Sequence, residues 1–320
     1  MSTADVVPAA VPDVLVLGEP LVELSTPEPF RDGAAMRLAF SGDALNAAAA
    51  AAAAGAHTAL LARVPDDELG DALVARVEEL GVDPGALVRV PGQHGVYFTH
   101  IDPEGRRQFA YARSGSAGST LGPQDLTERL VAGAGVVLAS GITAAVSASA
   151  AAAVVRAAEL AERFVYDPNF RSRLTSAEEA AAMLRRVAPR AALLTPSWPE
   201  EARSLLGLGE KATAQDAVVA ARELGAAAVA LTRGPAGVLV DTGTEQLDVP
   251  AVPPPTVVDQ TGAGDVFSGT VAARMALGDD LLDAVRFGTA AASLSVQGRG
   301  GTGHVPTWER TRTTADGVSA

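Results

Sequence analysis

The sequence predicts a doubly wound α/β domain of three layers, α/β/α, carrying a small β-sheet appendage. Two patterns predict it. From Gly135 onward, short apolar runs (Val136–Leu138, Phe164–Tyr166, Ala191–Leu194, Ala227–Leu231) alternate with helical stretches (Thr143–Glu162, Ser176–Val187, Pro199–Leu206, Ala214–Leu224). That is the rhythm of a parallel sheet covered on both faces. Earlier in the chain the rhythm is different. Glu19 to Phe40 alternates polar and apolar residues between turn signals at Pro27, Pro29 and Asp32-Gly33, which reads as short, partly exposed strands outside the core. Val96–Ile101 and Gln108–Arg113 form a hairpin around Asp102-Pro103-Glu104-Gly105, a sequence with good turn chemistry.

The remaining elements follow in order. Val14–Leu17, ended by Gly18, is a buried first strand. Asp43 to Ala54 is rich in alanine and stopped by Gly55, so it is a helix with a glycine end. Ala59–Leu61 is a strand, and Asp66 to Leu80 a helix closed by Gly81. Val238–Val240 and Gln246–Val249 pair as an antiparallel hairpin at one sheet edge, and the helices Gly262–Leu277 and Leu281–Val296 complete the fold. One domain therefore spans residues 13–310, with the appendage drawn from about 19–41 and 94–113. The polar tail 311–320 is expected to be loose.

Composition narrows the function. The 320 residues contain no cysteine, which excludes disulfides and thiolate chemistry. A net charge of −13 argues against nucleic acid and anionic membrane as partners, since phosphate affinity needs clustered Lys and Arg. Residues 1–13 contain no basic residue and no long apolar stretch, and no apolar run is long enough to span a bilayer, so a cytoplasmic protein is expected. The four histidines show no metal-ligand spacing. No Gly-x-x-x-x-Gly-Lys-Ser/Thr is present. Gly298 to Gly303 spells Gly-x-Gly-x-x-Gly, but after a helix and just before Pro306, the wrong context for a dinucleotide site.

Chemistry concentrates in Asp259-Gln-Thr-Gly-Ala-Gly-Asp265, which opens an apolar-periodic helix. Glycines at a helix start leave N–H groups free for an anion, with the positive end of the helix dipole facing outward. An aspartate beside such a nest is placed to act as a base. The plain alternative is a first-turn helix acid and a glycine-shaped turn.

This run resembles the C-terminal signature of the ribokinase-like (PfkB) carbohydrate kinases. Ser41-Gly42-Asp43-Ala44-Leu45-Asn46 is similar to that family's substrate segment, with Ser41 in place of a glycine, and Arg63 to Gly70 resembles its strand-to-helix segment. The likeness runs from Val14 to Pro306. It implies a ribokinase-like domain whose β-sheet lid covers a sugar, with ATP and Mg²⁺ as cofactors, K⁺ in some relatives, and a homodimer formed through the lid. Asp265 would be the base, and the Gly262, Ala263 and Gly264 amides the anion hole.

Within the family, Gly18 to Val22, Tyr111 to Ser119, Ser140 to Thr143 and Asp167 to Arg171 look like 2-keto-3-deoxygluconate kinases. By that resemblance Gly42, Asn46, Tyr97, Tyr111, Arg113 and Arg171 contact a sugar acid, and a guanidinium suits its carboxylate. Asp167 and Asn169 follow a strand at the sheet's ligand-binding end; Asp167 either orients Arg171, lies near the metal, or simply forms a turn. Thr232, Gly234 and Gly237 resemble the nucleotide loop, and Ala291 would line the adenine pocket, although helix packing explains an alanine equally well. Glu201 would hold Mg²⁺ through water, with Glu200 as the alternative, and Asp259 matches a monovalent-cation ligand. A ribokinase- or fructokinase-type enzyme for a neutral sugar, or a non-catalytic sugar or nucleotide sensor, are the competing readings.

Overall fold

The computed structural model describes residues 11–102 and 107–317. In chain order its elements are β1 (Val14–Leu17), β2 (Leu21–Thr26), β3 (Arg37–Ser41), α1 (Asp43–Ala53), β4 (Thr58–Pro65), α2 (Glu68–Glu79), β5 (Leu87–Val90), β6 (Val96–Ile101), β7 (Arg107–Ala112), α3 (Glu128–Gly133), β8 (Val136–Ser140), α4 (Gly141–Ala145) and α5 (Ala148–Leu160). They continue with β9 (Phe164–Asp167), α6 (Ala177–Val187), β10 (Ala191–Leu194), α7 (Glu200–Leu206), α8 (Ala214–Glu223), β11 (Val229–Thr232), β12 (Val238–Asp241), β13 (Gln246–Val249), α9 (Ala263–Ala276), α10 (Leu281–Ser295) and α11 (Trp308–Asp316).

Among the described residues, nine strands form the main sheet, ordered β13-β12-β11-β10-β9-β8-β1-β4-β5. From β11 to β5 every pairing is parallel, while β12 and β13 close the far edge as the expected antiparallel hairpin. Strand periodicity divides the core into two layers. Leu15, Leu17, Leu61, Val137, Phe164 and Leu231 face α5, α6 and α8, while Val14, Val16, Leu60, Leu138, Val165 and Ala230 face α1, α9 and α10. The alanine-rich α1 lets α9 approach closely: a Cβ on Gly269 would sit 2.1 Å from the carbonyl oxygen of Ala47. That approach brings Asn46 of α1 next to the first turn of α9.

A second sheet, ordered β3-β2-β6-β7, stands apart from the first. β2 pairs parallel to β6, and the other two pairings are antiparallel. β2 is more buried than its alternating sequence implies: Leu21, Val22 and Glu23 are 4%, 2% and 3% exposed. Of the turn sequence at 102–105, positions 103–105 lie outside the described residues.

Four expectations are corrected. The single helix expected at 143–162 is two, because the Ser147 hydroxyl caps a fresh start at Ala150 N. The strand expected at 59–61 runs from Thr58 to Pro65, because it pairs on both sides. β5 and α3 were not anticipated. The tail from 311 is helical to Asp316, with Thr311 and Ala315 buried, and Arg274 stacks 4.1 Å over Trp308. No helix among the described residues is long and apolar enough to cross a membrane.

Candidate active site

A cavity of about 560 Å³ opens between the carboxyl ends of the main-sheet strands, the start of α9 and the small sheet. The carboxyl ends of β9, β10 and β11 and the loops after them contribute Asp167, Asn169, Arg171, Ser197 and Thr232, the start of α9 contributes Gly262 to Asp265, and the small sheet and the residue after β7 contribute Tyr97, Phe109, Tyr111 and Arg113. Residues far apart in sequence thus share one cavity at the end of the sheet where open α/β folds bind ligands.

Asp265 lies in the first turn of α9, behind Gly262, whose φ of 83° is left-handed and favours glycine. Two side-chain amides hold its carboxylate. Asn46 Nδ2 donates to Oδ2 at 2.8 Å, and Asn169 Nδ2 donates to Oδ1 at 3.0 Å. Ser41 Oγ in turn donates to Asn46 Oδ1 at 3.2 Å. Asn169 has a φ of 41°, a conformation asparagine tolerates better than most residues, and its backbone N–H donates to Asp167 Oδ1 at 3.1 Å. Burial and the charge of Asp43 raise the Asp265 carboxyl to about 6, against the pull of the Asn46 and Asn169 amides and of Arg171.

The anion-hole amides differ in one respect from expectation. Ala263 N already donates to Gln260 O at 3.3 Å, whereas the N–H groups of Gly262, Gly264 and Asp265 have no acceptor among the described residues. A Cβ built on Gly264 meets nothing within 4 Å, so the space in front of it is open.

Two further carboxylates border the cavity. Asp167 is pushed well up by burial and by the charges of Glu201 and Asp265; its Oδ2 accepts from Ser268 Oγ at 3.1 Å. Glu201, in the first turn of α7, is also raised by burial, although Phe170 N (2.6 Å) and Ser197 N (2.7 Å) donate to it. Glu200 is exposed and does not line the cavity. No group of three acidic or histidine side chains among the described residues could cage a metal alone.

Several expected site residues already have partners within the chain. Arg113 is ion-paired with Glu19, whose side chain is 2% exposed, so a neutral ligand would not leave that guanidinium unpaired. Arg171 makes no ion pair among the described residues; its Nη1 donates to Phe170 O at 3.1 Å. The Tyr97 hydroxyl donates to Glu23, and Tyr111 is 45% exposed. Gly42 lines the cavity beneath them, Thr232 borders it, and Gly234 and Gly237 lie outside it. Ala291 is 1% exposed and packs against Ala50 and Val266, so helix packing explains it and an adenine wall does not. Asp259, expected to ligate a monovalent cation, accepts from Thr261 N at 2.9 Å and Gly300 N at 2.6 Å and is ion-paired with Arg107. Asp43, Glu19, Arg107 and Ser268 were missed: each is an ordinary polar residue in sequence, and only the tertiary fold gives it a partner at the site.

Known proteins bear on this geometry. Residues 12–308 match the pfkB family carbohydrate kinase model. The chain is 35% identical over 300 residues to the 2-dehydro-3-deoxygluconokinase of Thermoproteus tenax, covering 91% of this chain and 90% of that one. It is 29% identical over 293 residues to the 2-dehydro-3-deoxygalactonokinase of Haloferax volcanii, covering 88% and 90%. Among solved structures, a putative ribokinase II from E. coli in complex with ATP and Mg²⁺ superposes with a TM-score of 0.84 at 25% identity, covering 95% of this chain and 99% of that one.

Proposed function

Since the chain belongs to the pfkB family carbohydrate kinases and is an ATP-dependent kinase of that class, we propose that it phosphorylates a terminal hydroxyl of a sugar acid, 2-keto-3-deoxygluconate, with Asp265 as base. One observation carries the chemistry: a carboxylate fixed by Asn46 and Asn169 shares its cavity with three N–H groups that have no acceptor among the described residues. The substrate hydroxyl gives its proton to Asp265 as its oxygen attacks the γ-phosphorus, and the bond from that phosphorus to the departing ADP oxygen breaks. The N–H groups of Gly262, Gly264 and Asp265 face the charge on the transferring group, at the positive end of α9.

The residues present fit a magnesium ion that enters with the nucleotide. Asp167 and Glu201 are buried carboxylates that line the cavity, so they would hold the ion through its bound waters. When bound, Mg²⁺ neutralises phosphate charge. Thr232 borders the cavity and would lie beside the nucleotide, while Gly234 and Gly237 of the same loop lie outside it. The small sheet acts as a lid, with Tyr97, Phe109 and Tyr111 shielding the sugar from water.

The acid substrate is supported by the names of the two relatives and by Arg171, a cavity guanidinium that makes no ion pair among the described residues. A homodimer through the lid is supported by the exposed Phe30, Met36 and Leu38 around β3, and its mass in solution tests it. A coupled ADP-release assay over sugar acids and neutral sugars tests the substrate. A higher kcat/KM for 2-keto-3-deoxygluconate is expected; preference for ribose or fructose overturns the acid assignment and leaves the kinase class standing.

A further inference from the structure

Arg107 sits at the start of β7 in the small sheet, yet its side chain reaches the loop that precedes Asp265. Its Nη2 is ion-paired with Asp259 Oδ2, and its Nη1 donates to Thr261 Oγ1 at 2.6 Å. Thr261 adjoins Gly262, the residue that starts the nest of free amides. The same carboxylate ties the loop from two other directions, accepting from Thr261 N through Oδ1 and from Gly300 N through Oδ2. The Asp259 side chain is 2% exposed and that of Arg107 21%. Three donors therefore converge on one buried carboxylate, and each presents its positive end to it.

Such a carboxylate is a poor ligand for a metal cation. A bound ion needs lone pairs aimed at it from several oxygens, whereas here N–H dipoles and a guanidinium already surround the acid. The charge balance at Asp259 is complete without an ion. Because the balancing charge belongs to a side chain of the other sheet, it also fixes the relative position of β7 and the phosphate loop.

We propose that Arg107 is a positioning residue: its guanidinium serves as the built-in cation of Asp259, holds the Thr261 to Gly264 backbone in register for phosphate, and makes catalysis independent of monovalent cations. This rests on the assignment of the phosphates to that loop. Arg107 touches no reacting atom in this arrangement. It acts through Asp259 and Thr261, so its loss should lower kcat and weaken ATP more than sugar.

The test begins with the wild-type enzyme, assayed by ADP release with any sugar it accepts, in potassium, sodium or tetramethylammonium chloride at equal ionic strength. Rates within about twofold are expected; severalfold activation by K⁺ overturns the proposal. Arg107→Ala should then lower kcat by about 10- to 100-fold, the scale of a small displacement of reacting groups, and raise the KM for ATP while changing the sugar KM less than threefold. Added guanidinium ion, or Arg107→Lys, should restore part of the rate, which a merely structural role would not allow. Arg107→Ala with wild-type kcat and ATP affinity overturns the proposal. Gly264→Val separates the two failures. If that variant binds ATP normally by calorimetry, the phosphate placement itself is wrong; if it loses ATP while Arg107→Ala does not, only the role of Arg107 falls.

Discussion

Arg113 donates from both Nε (3.0 Å) and Nη2 (2.6 Å) to a single oxygen of Glu19, Oε2. The other Glu19 oxygen accepts from Ser116 Oγ. With side chains 8% and 2% exposed, this is a buried ion pair, and removing one partner strands the other. Arg113→Ala should therefore lower unfolding free energy by about 3–5 kcal/mol, read by urea denaturation of the apo protein. Arg113→Met combined with Glu19→Gln should recover part of the loss. A single variant as stable as wild type would show that the pair does not form.

Arg171 should behave differently, because it makes no ion pair among the described residues. Arg171→Ala should raise the KM for the sugar acid by about 10- to 100-fold, the equivalent of one lost charge-assisted contact of about 1.5–3 kcal/mol. The KM for a neutral sugar should move little. Steady-state kinetics decides this: if kcat falls with KM unchanged, Arg171 serves the transferring phosphate and not the substrate carboxylate.

Gly264→Val should leave the fold intact, because a Cβ there meets nothing within 4 Å. The branched side chain would occupy the open space before the free N–H groups. ATP binding should weaken at least tenfold by calorimetry, an effect of about 1.4 kcal/mol or more. Unchanged affinity would move the phosphates elsewhere.

The main-sheet strands other than β5, the helices other than α3 that cover them and the Gly-Ala-Gly-Asp nest were legible because they depend on local signals: apolar runs of fixed period and glycine at a helix start. Asp265, Asn46 and Asn169 were named from sequence, but their mutual hydrogen bonds span 219 and 96 residues, which no local pattern encodes. The same limit hid the partners of Arg113 and Asp259. Both residues read in sequence as ligand-binding charges, and in the fold Glu19 and Arg107 stand beside them. The Trp308–Asp316 helix escaped because its sequence is polar nearly throughout, and what orders it is its docking against α10 and Arg274.

Asp265 yields the last prediction, and its sign can be worked out. The carboxyl is pushed up to about 6 in the folded chain from an ordinary 3.8, with burial as the main cause and Asp43 the next. As a base it must be ionised, so kcat/KM should fall below about pH 6. Asp43→Asn removes a repelling charge and should move that limb to lower pH, while Asn46→Ala removes a stabilising hydrogen bond and should move it higher. Asp265→Asn should cost about a hundredfold or more in kcat at pH 7.5. Stability runs the other way. Above pH 6 the acid is ionised in both folded and unfolded states, and the folded chain bears the full penalty of holding that charge; below 3.8 it is neutral in both, and the penalty vanishes. Folding takes up a proton between these limits, so wild type should gain stability relative to Asp265→Asn as pH falls from 7 to 4, by at most about 3 kcal/mol. Urea unfolding of both proteins at pH 4.5 and 7.5 measures the difference. A gap that does not change with pH would mean that Asp265 titrates as an ordinary carboxyl, and an acid limb near pH 4 would agree.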